Sequence, residues 1–453
     1  MPVIEHVKTA VLWTMVLTSL VLTWFVWTYQ PAYSELDDPE EAFTEVESIG
    51  ETKAFSELFY PSAVISHEEE ASFLLQQSAE NYVQLMEDLR EVEIEAVEQT
   101  NGLTSEDLQS FNGLEIQFDS PLQERWLEQI LTVPEEEGER GVLPSMEQAD
   151  RILLTVTEED DVVIRFIDLE GDNVYEAGTT LEAAELTGYT RNAGMQRIPV
   201  EARVFQPEEE RVFQEIHYVP AERVEEELLT YNIIELEADT FVQSLFADPS
   251  IVQEYPEEGE RYFTDGSRYM QLENDDTTLE YVQPDIVTGS LGASESVLRT
   301  SQEFVNGHSG WTDRYFMTSW SESGFNDQAS YSLHMDGYPV LSADTNNPDH
   351  YMIQLTREGA NITNYTRPMF RMSEEPLEIG TRIELPSFAE VESYIESEEL
   401  FGLDVVENAR IGYYMRVQNS IAVFEPSWYV EVRGQWQRIT IPDAGTEVEN
   451  GLE

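Results

Sequence analysis

The sequence predicts an α+β protein in which short helices alternate with antiparallel sheets, preceded by one membrane-spanning helix. Three observations predict it: an uncharged apolar run near the N-terminus, strand-like runs joined by tight turns, and apolar residues at helical spacing before several of these runs. At 453 residues the chain has room for about two to four domains. Its hydrophobic content of 41% is that of a folded globular protein.

The net negative charge of the chain excludes some classes of binding partner. The formal net charge is −67, and residues 1–29 contain only Glu5 and Lys8 as charged side chains, so the acidic excess lies beyond residue 29. Such a surface repels phosphates and gains nothing from counterion release, which excludes nucleic acid as a partner. The absence of cysteine also excludes disulfides and thiolate metal sites.

Lysine is almost absent from the sequence. It occurs only as Lys8 and Lys53, and the other 22 of the 24 basic residues are arginine. A lysine ammonium, with a pKa of about 10.4, loses its charge in strongly alkaline surroundings, whereas a guanidinium keeps it. The composition therefore indicates an alkaline exterior or a saline one, in which a carboxylate-rich surface also stays hydrated.

Residues 9–29 are predicted to form an uncleaved transmembrane helix. This segment has no charged side chain and is long enough to span a bilayer, which takes about 20 residues. Lys8 precedes it and acidic residues follow it, so residues 1–8 are expected in the cytoplasm and the bulk of the chain outside the cell. A cleaved signal peptide is the alternative, but Trp24 and Trp27 stand where such a peptide needs small residues.

Two stripes of this helix are the candidate partner-binding residues: Trp13, Leu17, Leu20, Trp24 and Trp27 on one side, and Ala10, Thr14 and Thr18 on another. Small residues four positions apart allow a second helix to approach closely. In the alternative interpretation the threonines bond to their own backbone and the large residues face lipid. Both interpretations stay open at this point.

The remaining chain is expected to form a linker, three extracellular domains and a tail. Proline and acidic residues mark the linker and the tail, and element patterns mark the domains. The predicted ranges are an acidic linker (30–52), an N-terminal domain (53–198), a middle domain (199–290), a C-terminal domain (291–442) and an acidic tail (443–453).

Two elements are predicted in the N-terminal domain. Ser66, with Glu69 three residues later, has the pattern of a capping box that opens a helix extending to about Glu91. Residues 151–157 and 162–167 are rich in β-branched and aliphatic side chains and flank a short acidic turn, which predicts a β-hairpin.

A helix followed by strands recurs in the rest of the chain. Apolar residues at helical spacing predict helices near 241–246, 297–305 and 388–395. Strand-like runs follow each of them, and the dipeptide Asp265-Gly266 marks a hairpin after the first helix. The class is therefore α+β with antiparallel sheets.

Several segments resemble the YycH family of regulatory proteins of Gram-positive bacteria. The membrane exit LVLTWFVWTYQP (20–31), the turn TDGSR (264–268), and IGYY (411–414) with FEPSWY (424–429) carry the resemblance, which extends over roughly the whole chain. It implies three extracellular domains, the last two related to each other and to those of a shorter companion, YycI.

The resemblance also implies a function. A member of that family is an accessory protein that restrains the YycG-like sensor histidine kinase of an essential two-component system controlling cell-wall metabolism. The transmembrane helices contribute to the contact, and the YycI-like protein is a further membrane partner. The family has no catalytic residues to transfer to this sequence.

The residues themselves predict neither an enzyme nor a metal or cofactor site. The six histidines, at positions 6, 67, 217, 308, 334 and 350, show no paired metal-binding spacing. Residues 344–350 place oxygen ligands at calcium-like intervals but lack the glycine and the glutamate of an EF-hand loop. Two alternatives remain: an extracellular solute-binding or wall-binding receptor, which needs a concave pocket, and a wall-acting hydrolase, which needs a cleft with perturbed carboxylates.

The predicted topology can be tested by protease treatment of whole cells. Because the N-terminus is expected inside and the chain after residue 50 outside, protease should digest that outer region while a cytoplasmic marker protein stays intact. Full protection of the region, or a mature chain that starts near residue 30, would contradict the topology.

Overall fold

The computed structural model describes residues 13, 15–19, 49–68, 71–76, 80–95, 97–100, 104, 111–131, 146–157, 159–191, 197–208, 211–257, 260–274, 276–284, 295–323, 326–343, 351–377, 381–418 and 420–441. The chain from residue 48 onward forms one compact unit, and residues 1–47 belong to another. Within the described ranges no helix is both long and apolar enough to cross a membrane. Trp13 and residues 15–19 are helical and exposed, and the remainder of the predicted spanning segment lies outside the described residues, so the spanning helix stays a prediction.

A nine-stranded sheet forms the N-terminal part of the second unit. Every strand pair in it is antiparallel, and the spatial order is β3-β7-β6-β5-β4-β1-β2-β8-β9. The strands are β1 (Ala63–Glu68), β2 (Ala71–Leu75), β3 (Glu98–Thr100), β4 (Gly113–Gln123), β5 (Gln148–Val156), β6 (Asp161–Asp168), β7 (Asn173–Glu182), β8 (Arg197–Arg203) and β9 (His217–Pro220).

The rest of the chain forms a two-stranded ladder and a fourteen-stranded sheet, called the large sheet below. The ladder joins β10 (Val224–Glu227) to β22 (Arg382–Leu385). The strands of the large sheet are β11 (Leu229–Glu235), β12 (Gln253–Glu257), β13 (Glu260–Thr264), β14 (Tyr269–Glu273), β15 (Thr278–Val282), β16 (Tyr315–Ser321), β17 (Asp327–Met335), β18 (Tyr338–Ala343), β19 (Met352–Glu358), β20 (Asn361–Pro368), β21 (Phe370–Met372), β23 (Val406–Gln418), β24 (Ile421–Val432) and β25 (Gln435–Ile439). Its strands pair antiparallel except β18 with β23, which are parallel.

Short helices pack on these sheets. They are α1 (Glu80–Glu91), α2 (Glu124–Ile130), α3 (Ala183–Arg191), α4 (Ala238–Leu245), α5 (Val297–Gly307) and α6 (Phe388–Ser397). The predicted helices near 241–246, 297–305 and 388–395 correspond to α4, α5 and α6, whose apolar faces are buried. The predicted class, α+β with mostly antiparallel sheets, is therefore confirmed.

The prediction that a helix begins at Ser66 is wrong. Ser66 lies in β1, where it is fully buried between β2 and β4, and the helix begins at Glu80. A capping box needs an N-terminal residue whose hydroxyl accepts a backbone N–H of the first helical turn. Here strand pairing uses the backbone around Ser66 instead. The spacing of Ser66 and Glu69 alone cannot distinguish the two outcomes.

Strand pairing also crosses an expected domain boundary. The boundary at residue 198 falls inside β8, and β9, at the edge of the nine-stranded sheet, extends to Pro220. Further along, β15 pairs with β20, so the predicted middle and C-terminal domains share the large sheet. The division into three extracellular domains and the acidic tail stays a prediction.

A buried polar cluster centred on Glu115 joins four strands of the nine-stranded sheet. Its carboxylate accepts hydrogen bonds from His67 Nε2 at 3.0 Å, Arg151 Nη1 at 2.6 Å, Tyr218 Oη at 2.8 Å and Gln117 Nε2 at 2.8 Å. Burial raises the pKa of Glu115, but the Arg151 charge and the His67 hydrogen bond lower it more, from an ordinary 4.5 to about 2. Glu115 therefore stays ionised and neutralises Arg151 inside the fold.

Replacing Glu115 by Gln should destabilise the protein strongly. The change leaves the Arg151 cation buried without its counter-charge, which costs about 3–5 kcal/mol. Because the folded pKa of Glu115 lies below its unfolded value, this stabilisation is present above about pH 4.5 and is lost as the pH falls toward 2. Urea unfolding of the full chain in detergent at pH 7, 5 and 3.5 measures it.

Glu68→Gln is the matched control for this prediction. Glu68 pairs with Arg197 at 2.8 Å, and both side chains remain partly exposed. An ion pair open to solvent contributes about 1 kcal/mol or less. Equal losses of unfolding free energy for the two variants, or a loss at Glu115 that does not shrink at pH 3.5, would contradict the role assigned to the cluster.

Candidate functional site

A cleft of about 530 Å³ lies between the nine-stranded sheet and the large sheet. One wall consists of β4, β5 and β9, with residues 117–121, Asp150 and His217 at its surface. The facing wall includes β16, β18 and the meander of β23, β24 and β25, which contributes Arg410 and Trp436. Because both walls are built from paired strands, the cleft is preformed.

Irregular strand pairing shapes both walls. In β4 the pairing with β5 passes from Gln117 opposite Arg151 directly to Leu122 opposite Ala149, so residues 118–121 bulge out of the ladder. Pro121 belongs to this bulge and has no N–H to donate to a neighbouring strand. β23 has a bulge of its own before Asn408. Bulges turn side chains out of the regular alternation, and here they lie at the cleft.

An ion pair and two hydrogen bonds connect the walls. Arg410 Nη1 lies 2.5 Å from Asp119 Oδ1, and its guanidinium stacks 4.6 Å above the ring centre of Trp436. Ser120 Oγ donates to the carbonyl of Thr318 at 2.9 Å. Trp320 Nε1 donates to the carbonyl of Pro121 at 3.3 Å. These contacts set the separation of the two sheets around the cleft.

The cleft carries more negative than positive charge. Its two guanidinium groups are already engaged, Arg410 with Asp119 and Arg151 with Glu115 behind the wall. Asp150 and Glu431 also line it, and neither forms an ion pair with any described residue. Burial raises the pKa of Asp150 to about 6 and also raises the pKa of Glu431. A cation in the cleft would stabilise the ionised form of both carboxylates.

His217 adds no positive charge to the cleft. Burial, followed by the nearby charge of Arg151, lowers its pKa to about 3. Its ring packs 5.4 Å from the ring of Phe205, and Glu215 Oε1 lies 3.6 Å from its Nε2. The imidazole is therefore neutral at every pH above about 4.

A hydroxyl, an imidazole and a carboxylate come together at Ser72, His67 and Glu115. Ser72 Oγ lies 3.0 Å from His67 Nδ1, and His67 Nε2 lies 3.0 Å from Glu115. Ser72 and His67 are directly opposed in the β1–β2 hairpin, and the cavity beside His67 measures only about 40 Å³. That volume holds a few waters at most. The group therefore stabilises the sheet, and it has no room for a wall polymer.

The described residues contain no group of three or more histidine, aspartate or glutamate side chains placed to hold a metal ion. The calcium-like run at 344–350 lies outside them.

The predicted partner-binding residues are described only in part. Trp13, Leu17 and Thr18 lie on the short exposed helical stretch near the N-terminus, with Trp13 63% exposed. Ala10, Thr14, Leu20, Trp24 and Trp27 fall outside the described residues, so the two-stripe interface stays a prediction. The cleft was not predicted, because no local motif distinguishes Asp119 or Arg410 from other charged residues of the chain.

Comparison with known proteins identifies relatives over nearly the full length. The chain is 23% identical over 458 aligned residues to the two-component system WalR/WalK regulatory protein YycH of Bacillus subtilis, with 96% of each chain covered. The crystal structure of YycH from Bacillus subtilis has the same fold, with a TM-score of 0.65 and 18% identity over 86% of this chain and 98% of that one.

Two family models match most of the sequence. Residues 5–187 match the N-terminal domain of the YycH protein, and residues 214–445 match its C-terminal domain. The family resemblance seen in the sequence motifs is thereby confirmed. This chain belongs to the YycH family.

Proposed function

We propose that this chain is a membrane-anchored accessory protein that restrains a sensor histidine kinase of a two-component system controlling cell-wall metabolism. It acts by protein contact, partly through its N-terminal helix, and without catalysis. The single observation that carries the proposal is the full-length similarity to a relative whose name describes a WalR/WalK regulatory protein. A YycI-like companion protein is the further partner.

The proposed topology is a cytoplasmic start at residues 1–8, a spanning helix at 9–29 and an extracellular remainder. The apolar run and its flanking charges support it. An anchor of this kind confines regulator and kinase to one membrane, which raises their effective concentration. A helix contact of about 1–2 kcal/mol is then enough to change the bound fraction several-fold.

Thr14→Leu combined with Thr18→Leu should weaken association with the kinase. Leucine preserves apolarity but prevents the close helix approach that threonine allows, so a loss of about five- to thirtyfold in association is expected from about 1–2 kcal/mol. Co-purification with the tagged kinase from detergent-solubilised membranes measures the loss.

Met15→Leu combined with Val16→Leu is the matched control, because it changes apolar residues off the small stripe. Unchanged association of the threonine variant would assign the helix an anchoring role only. Association that also survives replacement of residues 9–29 by an unrelated spanning helix would place the contact surface outside the membrane.

The cleft favours a second candidate function, recognition of a solute outside the cell. Its volume of about 530 Å³ is in the range of small-molecule sites. Asp150, Glu215 and Glu431 form no ion pair with a guanidinium in the part of the chain that the structure describes, so the complementary ligand carries an amine. Peptides released from cell-wall material, which end in free ammonium groups, have that chemistry.

A cell-wall peptide with free amino groups should raise the melting temperature of the full chain. The same peptide with its amino groups acetylated carries no ammonium and should not. The pKa of Asp150 is raised to about 6, so binding a cation there releases a proton, and affinity should increase between pH 5 and pH 7. Differential scanning fluorimetry of wild type and Asp150→Asn measures both effects. Equal shifts with the acetylated peptide, or in Asp150→Asn, would exclude this site.

A further inference from the structure

A short segment ahead of the nine-stranded sheet is bound to the C-terminal part of the chain. Residues 50–54 are called the strap, and its first two residues pair with residues 309–311. Gly50 N donates to the carbonyl of Ser309 at 2.8 Å, and Glu51 and Trp311 exchange two backbone hydrogen bonds of 2.9 Å. The end of the segment predicted as a linker is therefore held by tertiary contacts.

Two glycines allow this close approach. A Cβ on Gly50 would lie 2.4 Å from the carbonyl oxygen of Trp311, and a Cβ on Gly310 would lie 2.8 Å from the carbonyl oxygens of Gly50 and Glu51. Gly310 also has a φ of +73°, which disfavours any side chain. The strap and its partner segment are thus specific for one another at the backbone level.

Helix α5 holds the backbone of Lys53 at the end of the strap. Asn306 accepts from Lys53 N at 3.0 Å and donates to its carbonyl at 2.9 Å, as a neighbouring strand would. Gln302 Nε2 donates to the same carbonyl at 2.7 Å. Asn306 Oδ1 also accepts from Trp311 Nε1 at 2.8 Å, which links the helix to the partner segment.

The Lys53 side chain then enters an aromatic site. Its Nζ donates to the carbonyl of Tyr315 at 3.0 Å and lies 5.5 Å from the ring centre of Trp311 and 4.9 Å from that of Phe316. Cation–π attraction and one carbonyl compensate only part of the hydration that the ammonium loses. Among the described residues no carboxylate lies within ion-pair distance of it.

Burial accordingly lowers the pKa of Lys53 from 10.5 to about 8, against the opposing charges of Glu57, Asp313 and Glu51 and with the help of Arg314. Burial raises the pKa of Asp313 to about 6, so this carboxyl group is ionised above pH 8. Arg314 stays cationic. The ammonium of Lys53 therefore loses its charge in this site at a lower pH than in the free strap.

The identity of the residue fits this property. Lys53 is the one lysine beyond residue 8, and the other 22 Lys or Arg side chains in that part of the chain are all arginine. A guanidinium at this place would stay charged at every accessible pH and could not enter the site as a neutral group. We propose that Lys53 is a proton-dependent latch, which docks the strap on the C-terminal part of the chain more firmly in alkaline than in neutral surroundings.

The direction of the pH dependence of strap docking follows from the number of protons bound in each state. The docked strap binds fewer protons than the free strap between pH 8 and 10.5, so docking strengthens as the pH rises through that range and is weakest below it. With these two pKa values the docking equilibrium constant increases about tenfold from pH 7 to pH 9. The predicted membrane helix lies upstream of the strap in the sequence, so a regulatory consequence of the latch rests on the proposed function.

Hydrogen exchange of the full chain in detergent tests the latch without the kinase, so its outcome is independent of kinase regulation. After correction for the intrinsic pH dependence of exchange, protection of the Gly50, Glu51 and Lys53 amides should increase about tenfold from pH 7 to pH 9. The β23–β24 hairpin, measured in the same samples, should show no such increase.

Two variants separate charge from packing. Lys53→Met keeps the length of the side chain without a charge, and its strap should be protected at both pH values. Lys53→Arg keeps the charge, and its strap should be weakly protected at both. A wild-type strap with equal corrected protection at pH 7 and 9, or a pH response that persists in Lys53→Met, would overturn the proposal.

Discussion

The fold depends on how a chain with 91 acidic and 24 basic residues places its few cations. Carboxylates repel one another across such a surface, and compaction has to overcome that repulsion. Several arginines are buried where they satisfy many acceptors: Arg357 binds Asp327 at 2.7 Å and the carbonyl of Glu295 at 2.8 Å, and Arg367 is fully buried against the carbonyl of Gly310 and the hydroxyl of Thr312. Removing the carboxylate partner of a buried arginine such as Arg357 leaves an uncompensated charge. Removing a neutral acceptor, as at Arg367, leaves a buried donor without a hydrogen bond.

Arginine pairs also join segments that are far apart in the sequence. Arg410 reaches Asp119 across the cleft, Arg125 reaches Glu322 at 2.8 Å, and Arg203 reaches Glu392 at 3.1 Å. The more exposed of these pairs contribute little free energy individually, so the apolar contacts beside them carry most of the stability. Trp126, fully buried on α2, packs edge-on against Trp320 of β16 at 4.5 Å between ring centres and joins the helix after β4 to the large sheet. The charge pairs and the buried aromatic contact together connect the N-terminal and C-terminal parts of the chain.

The cleft and the strap are two consequences of the same arrangement. Both occur where N-terminal segments meet the C-terminal part of the chain, and both hold ionisable groups whose burial is only partly compensated. Burial disfavours the charged form of both Asp150 in the cleft and Lys53 in the strap. It therefore raises the pKa of the acid and lowers the pKa of the base. The charge of such groups can change with the surrounding pH while the surrounding sheets stay paired.

The sequence by itself determined the α+β class, the positions of α4, α5 and α6, the hairpin at Asp265-Gly266 and the family, because each depends on local spacing or on contiguous motifs. It misassigned Ser66, since a capping pattern and a buried strand place the same residue types at that spacing.

The tertiary structure alone decided the cleft and the strap. Asp119 and Arg410 are 291 residues apart, and Lys53 and Tyr315 are 262 apart. The scarcity of lysine was visible in the composition, but the place of Lys53 between two aromatic rings was not. The free energy of such contacts depends on residues that are far apart in the sequence and meet only when the chain folds. No local sequence pattern encodes that free energy.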